Sequence, residues 1–247
     1  MNSKTVNETL ETPAFAASQP VGRPSNWVEI GLVVAITALW VVAGQLLDPS
    51  IVSEQSVDFG GVLVVLSVIY VFHRRRGDGW AELGLARPRS WWKTLFLALP
   101  TAAIVMLLAG VFQAFVVAPL TSGQTADISR FAALHGDLPK LLVTLVSIWL
   151  TAAFAEEVIY RGFLMGRLAR LLGGGQRAWW AGLVLSSVAF GLLHLYQGPT
   201  GILLTGFVGF LFGMLYLLFK RNLWVAILVH ALVDTISLTA IYLGAAS

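Results

Sequence analysis

Long apolar runs alternate with short polar segments along almost the whole chain. A helix needs about 20 mostly apolar residues to cross the roughly 30 Å hydrocarbon layer of a bilayer. Runs of about that length occupy 27–47, 57–73, 94–118, 140–160, 178–194, 200–219 and 223–243. The second run is the weakest, because Asp58 and two glycines shorten it. The pattern predicts an all-α fold, a polytopic transmembrane helix bundle of about seven to eight spans.

The polar segments divide the chain into three parts. Residues 1–26 are rich in Ser, Thr, Asn and Pro and lack a short apolar core behind a basic start, which indicates a disordered cytoplasmic tail and no cleaved signal. Residues 27–118 hold the N-terminal membrane helices. Within them, the segment near 80–93 mixes aromatic and basic residues, as is typical of a piece lying at the membrane interface. Residues 140–243 hold the remaining helices.

The composition also indicates a membrane protein. Of the 247 residues, 57% are hydrophobic and 12% are charged, and the mean hydropathy is +0.79. Soluble domains carry roughly 25% charged residues, so this chain must face lipid, and the bilayer is its first partner. The lack of cysteine excludes disulfides, iron–sulfur clusters and thiolate metal sites. No nucleic-acid partner is predicted, because the loops of a membrane protein account for the basic residues.

The basic residues lie mostly on one side of this map. With the N-terminus inside, only Arg130 and Lys140 fall outside, so 14 of the 16 basic residues lie on the inner face. Insertion by the positive-inside rule produces that bias. The predicted outer loop at 48–56 carries Asp48 and Glu54 and no basic residue, which agrees with an inside N-terminus.

Two glutamates and an arginine stand at the inner end of the predicted fourth span. An ionised side chain at a helix centre costs roughly 2.5–3.5 kcal/mol on insertion scales, so intramembrane charges usually face an interior and have a function. Glu157 and Arg161 have the i, i+4 spacing of a helical ion pair. Glu156 points about 100° away and has no cation near it in sequence, so it is a candidate general base. The alternative is that both glutamates pair with basic loop residues at the interface.

Two further motifs place histidines on apolar helices. Phe190 and His194 are one turn apart at the end of the predicted fifth span, and Gly191 permits close packing beside them. His230 and Asp234 form another i, i+4 pair inside the seventh span, where they can hydrogen-bond, orient a tautomer or bind a metal. The alternatives are an interfacial histidine in the first motif and an interhelical polar clasp in the second.

A helix bundle can bring these three motifs together at one buried polar site. Glu156 and His194 could then polarise a water molecule while His230 stabilises a developing oxyanion. The same three side chains could offer nitrogen and oxygen ligands to a divalent metal such as zinc. Serine or cysteine proteolysis is disfavoured, because cysteine is missing and the hydroxyls near the glutamates show no nucleophile signature. A site at the inner end of the fourth span implies access from the cytoplasmic leaflet.

Together the three motifs resemble the CPBP family of intramembrane proteases, the CAAX-protease and bacteriocin-processing group also called Abi proteins. They are E-E-x-x-x-R at 156–161, F-x-x-x-H at 190–194 and H-x-x-x-D at 230–234, in the family's order. The resemblance covers roughly residues 140–240 and implies a membrane-embedded endopeptidase that hydrolyses a peptide bond with activated water. It implies a lipidated or membrane-associated peptide or protein as substrate, with CAAX-type prenyl-protein or peptide processing as one activity of the group. It also implies a prokaryotic cytoplasmic membrane as the location.

The resemblance assigns roles to individual residues. It implies that Glu156 and His194 activate the attacking water and that His230 and the residue at 234 stabilise the oxyanion. The supporting residues are Glu157, Arg161 and Phe190. The family's third motif ends in Asn or Asp, and Asp234 is a poor hydrogen-bond donor unless it is protonated or turned toward His230, which favours an orienting or metal-ligating role. The family has been described both as metalloproteases and as glutamate-dependent proteases, and the sequence leaves both open.

Two other classes of function also stay open. A proton- or ion-coupled transporter could use the same intramembrane acids and histidines as a relay. Transporters usually show paired half-repeats with broken helices, and the sequence shows none. A non-catalytic binding protein, for example one that gives immunity to a secreted peptide, could use the motif residues for packing alone.

Overall fold

The computed structural model of the chain describes residues 25–46 and 54–245. Within these ranges the ordered structure is helical throughout, and no β-strand is present. The all-α prediction is therefore confirmed. Almost all of the predicted tail at 1–26 and most of the predicted outer loop at 48–56 lie outside the described residues.

Each predicted span coincides with one long helix in the described part of the chain. The helices are α1 Asn26–Leu46, α2 Glu54–Arg76, α3 Trp91–Leu120, α4 Leu138–Leu171, α5 Gln176–Leu193, α6 Gly198–Leu218 and α7 Trp224–Tyr242. Four of them, namely α3, α4, α6 with its preceding turn, and α7, are long and apolar enough to cross a membrane. The protein is thus an integral membrane helix bundle, and the count of seven spans stays a prediction.

Helix α4 is longer than the sequence predicts. The apolar run ends near residue 160, but the helix continues to Leu171 and is 34 residues long. Between Trp149 and Met165 it is wound as a π-helix, a form that is rare in proteins and frequent at functional sites. Glu156 therefore lies near the middle of the helix, whereas the apolar run alone places it near the end of the predicted span.

The extension of α4 has a physical cause in a buried group of charges. Glu29 of α1 accepts hydrogen bonds from Arg76 of α2 and Arg167 of α4, with N–O distances of 2.6 Å to each of its two carboxylate oxygens. All three side chains are buried. Arg167, which hydropathy assigns to a cytoplasmic loop, can therefore stay inside the bundle because Glu29 compensates its charge. We call Glu29, Arg76 and Arg167 the arginine cluster.

The core around α4 is apolar and closely packed. Buried side chains of α4 contact those of α2, α5 and α6, including Val158, Phe163, Ile69, Leu183 and Tyr216. Helices α5 and α6 approach closely at Gly191, where an added Cβ would lie 2.6 Å from the carbonyl oxygen of Ile202. The close packing predicted beside His194 is thus present, and it fixes the end of α5.

The aromatic and basic segment near 80–93 docks against the bundle. It forms a short 3-10 turn, Trp80–Leu83, and its last residues begin α3. Leu83 is fully buried, and the Gly84 carbonyl accepts a hydrogen bond of 2.8 Å from the Leu223 amide. Gly162 of α4 lies directly against Leu83, since a Cβ there would be 2.6 Å from the Leu83 carbonyl oxygen. The segment therefore connects α4 to the start of α7.

Candidate active site

Glu157 stands at the centre of the candidate site and joins two helices. Its Oε1 accepts a hydrogen bond of 2.8 Å from Arg161 Nη1 on the same helix and lies 3.0 Å from His230 Nδ1 on α7. All three side chains are buried, with Glu157 0% exposed. The ion pair predicted from the i, i+4 spacing is present, and Glu157 in addition orients the His230 ring.

Arg161 connects Glu157 to α5 and α6. Its Nη2 donates a hydrogen bond of 2.7 Å to the carbonyl oxygen of Gly209 on α6. Its guanidinium lies 4.5 Å from the centroid of the Phe190 ring, within the range of a cation–π interaction. Phe190 in turn packs edge-to-face on Tyr160 of α4 at 5.0 Å. The first two motifs are therefore in direct contact.

His194 caps the end of α5 with a defined tautomer. Its Nδ1 lies 2.9 Å from the carbonyl oxygen of Phe190. A carbonyl oxygen can only accept, so Nδ1 carries the hydrogen and Nε2 of the neutral ring is an acceptor. The ring is half-buried and lies 5.0 Å from the Phe190 ring. His194 thus has the protonation pattern that a general base requires.

Asp234 lies beside His230 on the same face of α7, as the spacing predicts. Its Oδ2 is 3.5 Å from His230 Nε2, and this oxygen is buried without a hydrogen-bond partner among the described residues. The two ring nitrogens of His230 thus face two different carboxylates, Glu157 and Asp234. The arrangement suits an orienting role for Asp234 toward His230.

Glu156 points to the open side of the site. Its side chain is half-buried, while its neighbour Glu157 is fully buried. It lies within Coulombic range of His230, Asp234 and Tyr196. His194 is likewise within Coulombic range of His230 and Asp234. The structure therefore brings the charged groups of all three motifs to one place.

The histidine nitrogens that could bind a metal ion mostly contact other groups of the protein. Among the described residues, no group of three or more His, Asp or Glu side chains is arranged to hold one. His230 directs Nδ1 to Glu157 and Nε2 toward Asp234, and His194 uses Nδ1 for the Phe190 carbonyl. In the predicted set Glu156, His194 and His230, both ring nitrogens of His230 face a carboxylate.

Two residues of the site could not be found from the motifs. Gly209 provides the carbonyl that holds Arg161, and a Cβ there would lie 2.7 Å from Phe190 and 3.1 Å from Arg161. Phe212, one turn further along α6, packs on the His230 ring at 4.6 Å. The sequence signal is weak, because glycine and phenylalanine are frequent in this apolar helix.

The part of the chain that carries the three motifs is similar to a known family. Residues 138–236 match the family described as Rce1-like, type II CAAX prenyl endopeptidase. The match includes all three motifs and confirms the resemblance to the CPBP group. No curated protein and no solved structure matches the chain.

Proposed function

We propose that this chain, whose residues 138–236 carry the pattern of CAAX-type intramembrane proteases, is an endopeptidase that hydrolyses a peptide bond with an activated water molecule. The observation that supports the proposal best is the meeting of acids and histidines from α4, α5 and α7. Glu157 bonds His230 directly, Phe190 and His194 pack beside them, and Glu156 and Asp234 border the open side.

In the proposed reaction, His194 and Glu156 act on the water. Nε2 of His194 accepts the proton while the Glu156 carboxylate orients the water and stabilises the imidazolium that forms. The hydroxide attacks the carbonyl carbon of the scissile peptide bond, and the protonated histidine later donates to the leaving amine. These steps use the side chains of the chain alone, and the chelator arm of the test below checks for a metal ion.

His230 has the position of an oxyanion donor. Glu157 and Arg161 hold its ring from one side, and Nε2 points toward Asp234. A protonated His230 can donate from Nδ1 to Glu157. Its Nε2 lies 3.5 Å from an Asp234 oxygen that has no hydrogen-bond partner among the described residues, so it can donate to the developing oxyanion. Removal of one oxyanion donor costs roughly 10²–10³ in kcat in well-studied hydrolases.

The test is cleavage by purified protein in lipid. Wild type is compared with Glu156→Gln, His194→Ala and His230→Ala, on prenylated and unprenylated peptides, with and without chelator. We expect wild type to cut, and the Glu156 and His194 variants to lose about 10²–10⁴-fold in kcat. Cleavage of prenylated peptides alone would support CAAX-type processing, whereas cleavage of both would support general peptide processing.

Two matched controls exclude effects of the substitution itself. Glu82→Gln and His135→Ala change exposed residues of the same types away from the site, and both should cut like wild type. Loss of activity with chelator that zinc restores would instead support a metalloprotease. If the site variants fold and cut as fast as wild type, the assignment of these residues is wrong.

A transporter uses such groups differently. A relay carboxylate has to release and regain its proton, but Glu157 is held by both Arg161 and His230. Proton flux into proteoliposomes, measured on the same preparations, checks this alternative. We expect no flux that depends on Glu156.

A further inference from the structure

A groove lies between the start of α5 and the end of α6, at the opposite end of α5 from His194. Its volume is about 360 Å³, within the range of small-molecule sites in proteins. Apolar and aromatic side chains form most of its wall, and both charged residues of the lining are basic. The lining includes Trp179, Trp180, Met214, Leu217, Lys220 and Arg221.

The packing of α5 against α6 explains where the groove begins. The two helices are joined by a short turn and touch at Gly213, which lies directly against Leu183. Past Gly213 the facing residues are large, with Leu217 on α6 and Trp179 on α5. Small residues allow helix backbones to approach closely, and large ones keep them apart. The ends of the two helices therefore leave a space between them.

The two basic residues of the groove have an unusual backbone conformation. Among the described residues, three that are not glycine have a positive φ, and two of these are adjacent, Lys220 at 56° and Arg221 at 63°. The left-handed conformation is costly for long side chains, and such residues cluster at functional sites. The turn is fixed, because the Arg221 amide donates to the Tyr216 carbonyl at 2.7 Å and the Leu223 amide to the Gly84 carbonyl at 2.8 Å. Two cationic side chains thus extend from a rigid turn.

The groove joins this positive charge to an apolar wall. The guanidinium of Arg221 lies 4.9 Å from the centroid of the Trp179 ring, within the range of a cation–π interaction. Trp180 is exposed, and tryptophan is enriched at the level of the lipid headgroups. Leu218, also part of the lining, is exposed as well. The apolar wall is therefore open to the hydrocarbon of the bilayer.

We propose that this groove binds one anionic phospholipid, with the lipid phosphate at Lys220 and Arg221. One acyl chain lies along the apolar wall at Met214, Leu217 and Leu218. Basic pockets between transmembrane helices are sites for anionic headgroups. A free anion would use only the two charges and an uncharged apolar ligand only the wall, whereas an anionic lipid uses both. The proposal does not depend on the proposed function, because the groove shares no residue with the candidate active site.

The first test compares ligands that carry one or both of these features. The full-length protein in detergent is titrated with dioleoylphosphatidylglycerol, with dioleoylphosphatidylcholine or with inorganic phosphate, and Tm is measured. We expect saturating phosphatidylglycerol to raise Tm by about 5–10 °C. Phosphatidylcholine, with the same chains and no net charge, should give less than half of that shift, and inorganic phosphate should give none. Equal shifts with both lipids, or a full shift with inorganic phosphate, would overturn the proposal.

Asparagine variants remove the charge and suit the backbone. Asparagine adopts the left-handed conformation more readily than lysine or arginine, so the double variant Lys220→Asn and Arg221→Asn should keep its fold. Two basic residues near a lipid surface account for about a 30-fold difference in affinity. We expect the apparent affinity for phosphatidylglycerol to fall by about that factor. The exchange Lys220→Arg with Arg221→Lys keeps both charges and should bind within about threefold of wild type.

The matched control removes the same charge elsewhere. Arg87 and Arg89 are exposed and do not line the groove, so the double variant Arg87→Asn and Arg89→Asn should change the affinity by less than about twofold. An equal loss in the control and the groove variant would mean that the overall charge of the chain attracts the lipid. Wild-type affinity in the groove variant would place the lipid elsewhere. Either result would overturn the proposal.

Discussion

Two groups of charged side chains are buried among the described residues. Arginines outnumber acids in one group, and acids outnumber arginines in the other. In the arginine cluster one acid, Glu29, is shared by two arginines. In the candidate site one arginine, Arg161, lies among three acids, Glu156, Glu157 and Asp234. Both groups join α4 to other helices, yet only the second is partly open to solvent.

Among the described residues, the buried polar atoms without a hydrogen-bond partner differ between the two groups in the same way. Near the arginine cluster they are nitrogens, His73 Nδ1 and Arg167 Nη1, whereas in the site they are oxygens of Glu157 and Asp234. Unsatisfied buried acceptors cost roughly 1–3 kcal/mol each, so they are satisfied on binding a donor. Water and the N–H groups of a peptide are such donors. The comparison agrees with a structural role for the arginine cluster and with the proposed binding of a substrate at the site.

The same substitution, glutamate to glutamine, in each group gives the sharpest test of that comparison and the largest expected effects. Glu29→Gln removes the carboxylate charge that two buried arginines share, and we expect the free energy of unfolding to fall by about 3–5 kcal/mol. Turnover per folded molecule should be unchanged. Glu156→Gln removes one of several neighbouring acids, so stability should stay the same or rise while kcat falls about 10²–10⁴-fold.

The measurements are denaturant unfolding in lipid or detergent and peptide cleavage on the same samples. A stable Glu29→Gln variant with low turnover per folded molecule would place the arginine cluster in the reaction. An unstable Glu156→Gln variant with wild-type turnover would make the site a structural clasp, which is the alternative that the sequence left open.

A smaller effect is expected at Gly209, which lies between Phe190 and Arg161. The added methyl group of Gly209→Ala would lie 2.7 Å from Phe190, so the ring or the guanidinium has to move. We expect a loss of about 1–3 kcal/mol in unfolding free energy, and a lower kcat because Arg161 no longer holds Glu157 in place. Wild-type stability and turnover would mean that the ring moves without consequence.

Gly110→Ala is the matched control for this substitution. Gly110 lies in α3, and a Cβ there meets no atom within 4 Å. Alanine is the better helix former by up to about 1 kcal/mol, so stability should stay the same or rise. If both variants lost a comparable amount of unfolding free energy, the loss would come from replacing a helical glycine and not from the contacts at Gly209.

Contacts within a single helix could be predicted from the sequence. The i, i+4 spacing of Glu157 with Arg161 and of His230 with Asp234 places each pair on one face, and both pairs are adjacent in the structure. The long helices followed from apolar length in the same way. These predictions need only the geometry of a helix.

Contacts between helices could not be predicted. Hydropathy ends the fourth span near 160 because Arg161 and Arg167 interrupt the apolar run, and nothing local reveals that Glu29 and Glu157 compensate these charges. The bond from Arg161 to the Gly209 carbonyl uses the backbone, so no side-chain pattern marks it. The burial of Leu83 and Gly84 between helices likewise depends on the bundle as a whole.

Asp234 provides the smallest expected effect and separates two roles at one position. If its carboxylate only orients His230, the amide oxygen of Asp234→Asn can still face Nε2, and kcat should change by less than about tenfold. Asp234→Ala removes the facing oxygen and should cost about 10–100-fold, as is usual for groups that orient a functional histidine. Because His230 is also held by Glu157 at 3.0 Å, even the alanine variant should retain a folded site. An asparagine variant that is faster than wild type would instead indicate a direct donor to the oxyanion, since an amide donates where an ionised carboxylate cannot.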